Sequence, residues 1–359
     1  MKITTALRRA RSTVILAIAC GLALVATTIS ASAGPIAGAT KTNPKHFFWS
    51  KGATPDPNLL ANDLIYHGGA AGPGAIGIEK NPAVYLVFWG PSWATGFTTP
   101  DTDGTAFSSA TLQSYVQGFF NGVGGTPWAG VQTQYCRNVP IGTTSCAGIA
   151  GADYITNPSG QLKGVWTDPS AVPADIVTLG LAENLVNDPI AAEASAAAAH
   201  FGYNPDATYI ILTPPGTIGT GQPVYCGYHT QTTSINGLGN AHTLQYSFIP
   251  FLNTNWPGIG ASGCGMHFVN KTSNALGNGI FDGYSIVTGH EYAEAVTDPD
   301  NFLSNQDGWN DAQGSENGDK CAWSALSANI QAGANSYAVQ PMWSNQAFDA
   351  GKNGCAMTL

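Results

Sequence analysis

The stretch Ala83–Trp89, with the sequence AVYLVFW, is a continuous apolar run that Gly90 and Pro91 close. Apolar residues in a row, without alternation, are typical of a strand that is buried on both faces of a sheet. Residues 207–213 (ATYIILT) repeat this pattern, and residues 244–251 (LQYSFIPF) predict a third strand. The three runs therefore predict a sheet at the centre of the protein.

Helical patterns lie between these strands. Residues 112–120 place apolar side chains at i, i+3, i+4, i+7 and i+8, with Ser108 and Ser109 available as N-caps. Pro173 is expected to open a second helix, and Asp188 to begin an alanine-rich third one. Strands that alternate with helices predict an α/β or α+β fold, with a mixed sheet flanked by helices.

Residues 1–33 have the pattern of a secretory signal peptide. Basic residues precede an apolar stretch over residues 13–28, and residues 31–33 (ASA) form a small-residue cleavage site. We expect residues 34–60 to be a flexible leader, because they are rich in Gly, Ala, Thr and Pro and show little periodicity. Residues 61–359 are expected to form one domain of a secreted protein.

Charge limits the partners of the mature chain. Removal of Lys2, Arg8, Arg9 and Arg11 with the signal peptide leaves 9 Lys and Arg against 22 Asp and Glu, a formal charge of −13. This charge argues against nucleic acids and anionic membranes, since both need a positive protein surface. No later stretch reaches the ~18 apolar residues of a membrane span, so no membrane contact is expected after cleavage.

Six cysteines remain after signal-peptide removal. An even number of cysteines in an exported chain indicates three disulfides. The chain has no CxxC pair, which argues against a cysteine metal cluster. Among the possible pairings we expect the one that joins neighbours in sequence. Its bonds are Cys136–Cys146, Cys226–Cys264 and Cys321–Cys355.

Residues 282–319 hold nine of the 22 acidic residues and contain no Lys or Arg. Like charges at this density repel one another unless a cation neutralises them. The segment includes the motif HEYAE at residues 290–294. It lies in a predicted helix that Asp282 caps and that ends near Thr297, because Pro299 disfavours the helical conformation in the residue before it.

On this helix His290 and Glu294 stand on one face, close enough to bind the same ion. Glu291 lies about 100° further round the helix, near the ion but not bound to it. Zincins use this geometry in the His-Glu-x-x-His motif, with the Glu as general base on a metal-bound water. In this chain Glu294 stands in place of the second His. Zn²⁺ accepts a carboxylate ligand, but the replacement lets Ca²⁺ or Mn²⁺ compete better for the site.

A third protein ligand is required, and acidic residues just downstream supply the candidates. We expect Glu316, whose separation from Glu294 is similar to that of the distant Glu ligand in some zincins. Asp319 and Asp311 are the alternatives. If Cys321 is disulfide-bonded, that bond would fix the ligand loop.

Three histidines outside the motif lie beside aromatic residues. His67 and His229 are candidates to line the site, and His229 is the better one. In a hydrolase, His229 or Tyr228 could stabilise an oxyanion. His267 lies between apolar residues and is expected to belong to the core.

Five blocks occur in a specific order: residues 64–69 (LIYHGG), 84–90 (VYLVFWG), 225–230 (YCGYHT), 246–249 (YSFI) and 281–299, which ends in TDP. Together they resemble the exordium/phosphate-induced protein family over about residues 63–325. The resemblance implies a secreted protein, which in plant members is associated with the cell wall and lacks a settled activity. Because it keeps His290, Glu291 and Glu294, this chain resembles bacterial relatives that look like metallopeptidases.

Two functions follow as hypotheses. The first is a secreted, Zn²⁺-dependent peptidase that cleaves a protein or peptide substrate. Its catalytic residues would be Glu291, as general base, and His229, and its metal ligands would be His290, Glu294 and Glu316. The alternative is a non-catalytic extracellular or cell-wall binding protein, in which the acidic cluster holds a structural Ca²⁺ ion.

Overall fold

The computed structural model describes residues 45–52, 61–69, 76–182, 187–217, 225–232, 243–253, 261–299 and 307–359. The predicted signal peptide, residues 1–33, lies outside the described residues.

The described residues contain strands and helices in the following order along the chain. The strands are β1 (His46–Trp49), β2 (Ile65–Tyr66), β3 (Ala83–Trp89), β4 (Thr98–Pro100), β5 (Ala106–Ser108), β6 (Cys136–Arg137), β7 (Asp153–Tyr154), β8 (Leu162–Asp168), β9 (Ala207–Leu212), β10 (Tyr225–Thr232), β11 (Leu244–Ile249), β12 (Trp309–Asn310), β13 (Ala328–Ala332), β14 (Asn335–Val339), β15 (Met342–Trp343) and β16 (Cys355–Ala356). The helices are α1 (Pro91–Thr95), α2 (Ser109–Val123), α3 (Pro127–Gly130), α4 (Ile176–Gly180), α5 (Pro189–Phe201), α6 (Asp282–Thr297) and α7 (Asn345–Asp349). Short 3-10 helices cover Val131–Gln134, Ala261–Cys264 and Asp319–Cys321.

A six-stranded mixed sheet with the order β1-β10-β11-β9-β3-β8 organises the described fold. Strands β8, β3, β9 and β11 are parallel, whereas β10 runs antiparallel to β11 and β1 antiparallel to β10. Helix α6 packs against β10 and β11 on one face, and α5 packs against β9 and β11. The three predicted apolar runs are the adjacent strands β3, β9 and β11, and the predicted mixed sheet with flanking helices is confirmed.

Two of the three helix predictions in the first two-thirds of the chain are confirmed, whereas the helix expected to open at Pro173 begins only at Ile176. Helix α2 begins at Ser109, and the Oγ atom of Ser108 accepts a hydrogen bond from the backbone N–H of Thr111. Helix α5 begins at Pro189, and the side chain of Asp188 accepts the N–H of Ile190. In both cases a side-chain oxygen satisfies an N–H group that lacks an intrahelical partner.

The predicted flexible leader over residues 34–60 is wrong for residues 45–52. These residues include β1, which pairs with β10 and forms one edge of the sheet. Its side chains alternate between the two faces: Phe48 joins the core on the α6 side, and Phe47 packs on the opposite side. A four-residue strand is too short to give a periodic signal, and it is stabilised by a partner that is distant in sequence.

The three predicted disulfides are confirmed, and they are Cys136–Cys146, Cys226–Cys264 and Cys321–Cys355. Three disulfides are typical of a protein from an oxidising compartment. Within the described residues, no helix has both the length and the apolar character needed to cross a membrane.

A buried carboxyl pair on the α5 side gives the fold a pH dependence. Desolvation, followed by the charge of Asp168, raises the pKa of Glu193 to about 8. The folded protein holds the proton on Glu193 more tightly than the unfolded chain does. Protonated Glu193 therefore stabilises the fold fully below about pH 4.5, and this stabilisation is lost as pH rises through 8. We expect a loss of about 2 kcal/mol across this interval, after allowing for solvent screening.

The Glu193→Gln variant tests this expectation, because its amide stays neutral at every pH. Thermal unfolding of both proteins between pH 5 and 8.5 should give a steeper fall in Tm for the wild type. Parallel Tm profiles would refute the assignment of this pH dependence to Glu193.

Candidate metal centre

Helix α6 carries the HEYAE motif through the interior. All 16 of its residues are buried, because the sheet covers one side and α2 and β14 cover another. His290, Glu291 and Glu294 of the motif therefore lie away from bulk water, where an uncompensated charge is costly.

The predicted end of α6 is confirmed at Thr297, but its predicted N-cap is wrong. Asp282 lies in the first turn and caps no N–H of the helix by its side chain. Its carboxylate instead accepts hydrogen bonds from the backbone N–H groups of Val269, Asn270 and Gly279. Asp282 therefore ties the segment before the helix to the helix start.

Seven ionisable side chains form one assembly around α6, which we call the carboxylate–histidine cluster. Its members are His46, His229, His290, Glu291, Glu294, Glu316 and Asp319. They form three groups of three residues, and within each group the potential ligand atoms lie within 4.8 Å of one another. The groups are His290/Glu294/Asp319, His229/Glu291/Glu294 and His46/His229/Glu316. Nitrogen and carboxylate oxygen together are a donor set that suits Zn²⁺ and related transition metals.

The first group contains both motif ligands predicted from the sequence. Nε2 of His290 lies 3.0 Å from Oε1 of Glu294 and 3.8 Å from Oδ1 of Asp319. This Nε2 atom is buried and makes no hydrogen bond, so its lone pair is not committed to a protein donor. The backbone N–H of Asp319 donates to Oε1 of Glu294 at 2.9 Å, which holds the loop against the helix.

The other ring nitrogen of His290 is held by Gln340. Nδ1 lies 3.3 Å from Oε1 of Gln340, and Nε2 of Gln340 in turn donates to the carbonyl of Gly318 at 2.7 Å. That second contact fixes the amide so that its oxygen faces the histidine. With Nδ1 directed to Gln340, Nε2 is the ring nitrogen available to a metal, as in metal sites where a second contact orients the histidine. Phe48 stacks on the ring at a centroid distance of 3.9 Å.

His229 lies between the helix and the downstream loop. Its Nδ1 is 3.3 Å from Oε2 of Glu291 and 3.3 Å from Oε2 of Glu294, and its Nε2 is 3.5 Å from Oε1 of Glu316. Burial opposes its charge, but these three carboxylates raise its pKa well above the usual value. The structure therefore places His229 among the residues of the candidate site.

The pKa values of the two motif glutamates are shifted in opposite directions. Desolvation raises the pKa of Glu291 to about 7, against the lowering effect of His229. Desolvation acts on Glu294 as well, but His290 and His229 outweigh it and lower its pKa. Glu294 is thus the carboxylate that the histidines hold in its charged form.

Glu316 does not complete the group around His290. It contacts His46 and His229 instead, and Asp319, an alternative in the sequence analysis, is the acid that joins His290 and Glu294. Asp311, the other alternative, lies outside the cluster, where it forms an ion pair with Lys320 at 2.8 Å.

The remaining residues considered from sequence are placed elsewhere. His67 belongs to none of the three groups. Tyr228 lies on the opposite face of β10, in the aromatic core with Phe47. His267, expected in the core, is instead partly exposed, and its Nε2 lies 2.6 Å from Oδ1 of Asp101. Two cluster contacts were missed from sequence, His46 and Gln340, because no local spacing relates either residue to α6.

Two glycines allow the neighbouring segments to approach α6. A Cβ atom at Gly227 of β10 would lie 2.8 Å from Oε1 of Glu291. A Cβ atom at Gly318 would lie 2.8 Å from both Oε1 of Glu294 and Nδ1 of His290. Since real Cβ atoms do not approach so closely, any larger residue at these positions must displace the motif side chains.

Gly318→Ala is therefore expected to weaken metal binding by about 10- to 100-fold, the range seen when partners of metal ligands are altered. Gly318 has φ −76°, so the alanine adds no backbone strain and the effect reports on the contact alone. Titration with a competing chelator measures the Kd. Gly130→Ala is the matched control, since its Cβ would meet its nearest neighbour at an ordinary 3.5 Å. An unchanged Kd for Gly318→Ala would refute the argument.

No family model, curated protein or solved structure matches the chain.

Proposed function

We propose that this protein is a secreted, metal-dependent peptidase whose ion is held by His290, Glu294 and Asp319. One observation carries the proposal: Gln340 binds Nδ1 of His290 and leaves the buried Nε2, without a hydrogen bond, facing two carboxylates. The spacing of His290 and Glu294 on α6 supports the assignment, since zincins place two ligands at i and i+4. Asp319 replaces Glu316 in the ligand set expected from sequence.

Zn²⁺ fits this donor set better than Ca²⁺ does. Ca²⁺ takes six to eight oxygen ligands, whereas the group combines an imidazole nitrogen with carboxylate oxygens, a combination that Zn²⁺ prefers. Two more histidines, His46 and His229, contribute nitrogen to the same cluster.

Glu291 is assigned as the general base. A Zn²⁺ ion at this site would supply Lewis-acid chemistry and an activated water. Oε1 of Glu291 is buried without a hydrogen-bond partner, so it can accept a proton, and Oε2 faces Nδ1 of His229. His229 thereby orients the carboxylate, a positioning role that replaces the oxyanion contact considered from sequence. Protein or peptide is the substrate class, since the general base and the i, i+4 ligands follow the zincin arrangement.

One observation favours a second candidate, a non-catalytic extracellular or cell-wall binding protein with a structural ion. The side chains of His290, Glu291 and Glu294 are at most 1% exposed, which is typical of closed structural metal sites. The side chains of His46 and Asp319 are about one-fifth exposed and give the cluster its contact with solvent. The two candidates therefore differ in whether a substrate reaches the ion from that side.

The experiment that separates them is a peptide-cleavage assay with the secreted protein. A mixture of peptides of diverse sequence is incubated with the protein, and the products are identified by mass spectrometry. The peptidase proposal expects cleavage that 1,10-phenanthroline stops and added Zn²⁺ restores. A folded protein that contains its metal and cleaves no peptide would overturn the proposal in favour of the binding protein.

A further inference from the structure

His46 and His229 are direct neighbours across the β1–β10 pair. The two residues are in register in this antiparallel ladder, and their ring centroids lie 5.2 Å apart. Directly opposed residues of an antiparallel pair place their side chains on the same face of the sheet. Both rings therefore face the α6 side, where Glu316 approaches them from the downstream loop.

Glu316 joins the two histidines through different oxygen atoms. Its Oε2 lies 2.5 Å from Nδ1 of His46, and its Oε1 lies 3.5 Å from Nε2 of His229. Both oxygens of this fully buried side chain face imidazole nitrogens, but neither contact meets hydrogen-bond geometry. A buried carboxylate is costly unless a cation compensates it, a role that protonated His46 and His229 or a metal ion bound to all three side chains can fill.

We propose that His46, His229 and Glu316 bind a second divalent transition-metal ion, so that the cluster is a two-ion centre. The inference assumes, as the proposed function does, that His290, Glu294 and Asp319 hold an ion, but it does not require peptide hydrolysis. Two imidazoles and one carboxylate are the protein ligands of known catalytic zinc sites.

The two ligand sets share no residue, and Glu291 lies between them. When Nε2 of His229 binds the second ion, its Nδ1–H is directed to Oε2 of Glu291 and Oε2 of Glu294. This is the carboxylate–histidine–metal arrangement, in which the carboxylate fixes the ring and raises its basicity. Glu291 would then lie between the two ions, and in paired metal sites two ions act on one reacting group.

Metal stoichiometry tests the proposal directly. The secreted protein is saturated with Zn²⁺, freed of excess metal and measured by elemental analysis. We expect two equivalents for the wild type and one for both His46→Ala and His290→Ala. The control His200→Ala should keep two, because His200 stacks on Trp166 and belongs to none of the ligand groups. One equivalent or none in the wild type, or two in a folded His46→Ala variant, would overturn the inference.

A second measurement does not depend on any variant folding. Anomalous diffraction at the zinc absorption edge from wild-type crystals should show two peaks, one beside His290 and one beside His46. A single peak beside His290 would overturn the two-ion centre but leave the proposed peptidase intact. Two peaks in a protein without peptidase activity would support the centre and refute the proposed function.

Discussion

Glu291→Gln should lower kcat/KM for peptide cleavage by about 1,000-fold, the scale at which a positioned general base contributes. Glutamine has nearly the same shape as glutamate, but its amide cannot take a proton. Glu291 belongs to neither proposed ligand set, so metal content should stay at the wild-type value. Cleavage rates and elemental analysis of the same preparations give both results.

Glu193→Gln is the matched control for this prediction. It makes the same chemical change at a buried glutamate on the other side of the sheet, where desolvation raises the pKa to about 8. Because Glu193 is mostly protonated at neutral pH, its amide variant should keep full activity. Hydrolysis at the wild-type rate by Glu291→Gln would remove Glu291 from the mechanism.

Removal of each bound ion is expected to lower Tm by about 8 °C. An ion present at about 1,000 times its Kd stabilises the folded state by ~4 kcal/mol, and ~1 kcal/mol shifts Tm by ~2 °C in a protein of this size. The physical reason is that apo protein retains buried carboxylates of like charge, including Glu294 and Glu316, without the cation between them. Differential scanning calorimetry with and without a chelator measures the shift.

Glu294→Ala tests where this stabilisation arises. The variant should lose the ion at His290 and melt below the wild type, because His290 and His229 lose a buried carboxylate partner. Its response to the chelator should be smaller than the wild-type response, since one bound ion is already missing. If the chelator leaves the wild-type Tm unchanged, neither proposed site holds a stabilising ion.

The sequence by itself determined the elements that depend on local rules. The runs at β3, β9 and β11, the caps at Ser108 and Asp188, and the end of α6 at Thr297 all follow from neighbouring residues. The disulfide pairing joins neighbours in sequence, as expected, but the fold selected it among the possible pairings. The i, i+4 spacing of His290 and Glu294 was sufficient to place both on one face of α6.

Only the tertiary structure decided which residues meet that helix. The pairing of β1 with β10 brings His46 beside His229, and the docking of the 3-10 turn at Asp319–Cys321 selects Asp319 over Glu316 for the group at His290. Strand register and loop docking depend on contacts between segments far apart in the chain, so no local spacing encodes them. The burial of α6 has the same origin, because it results from packing on several sides at once.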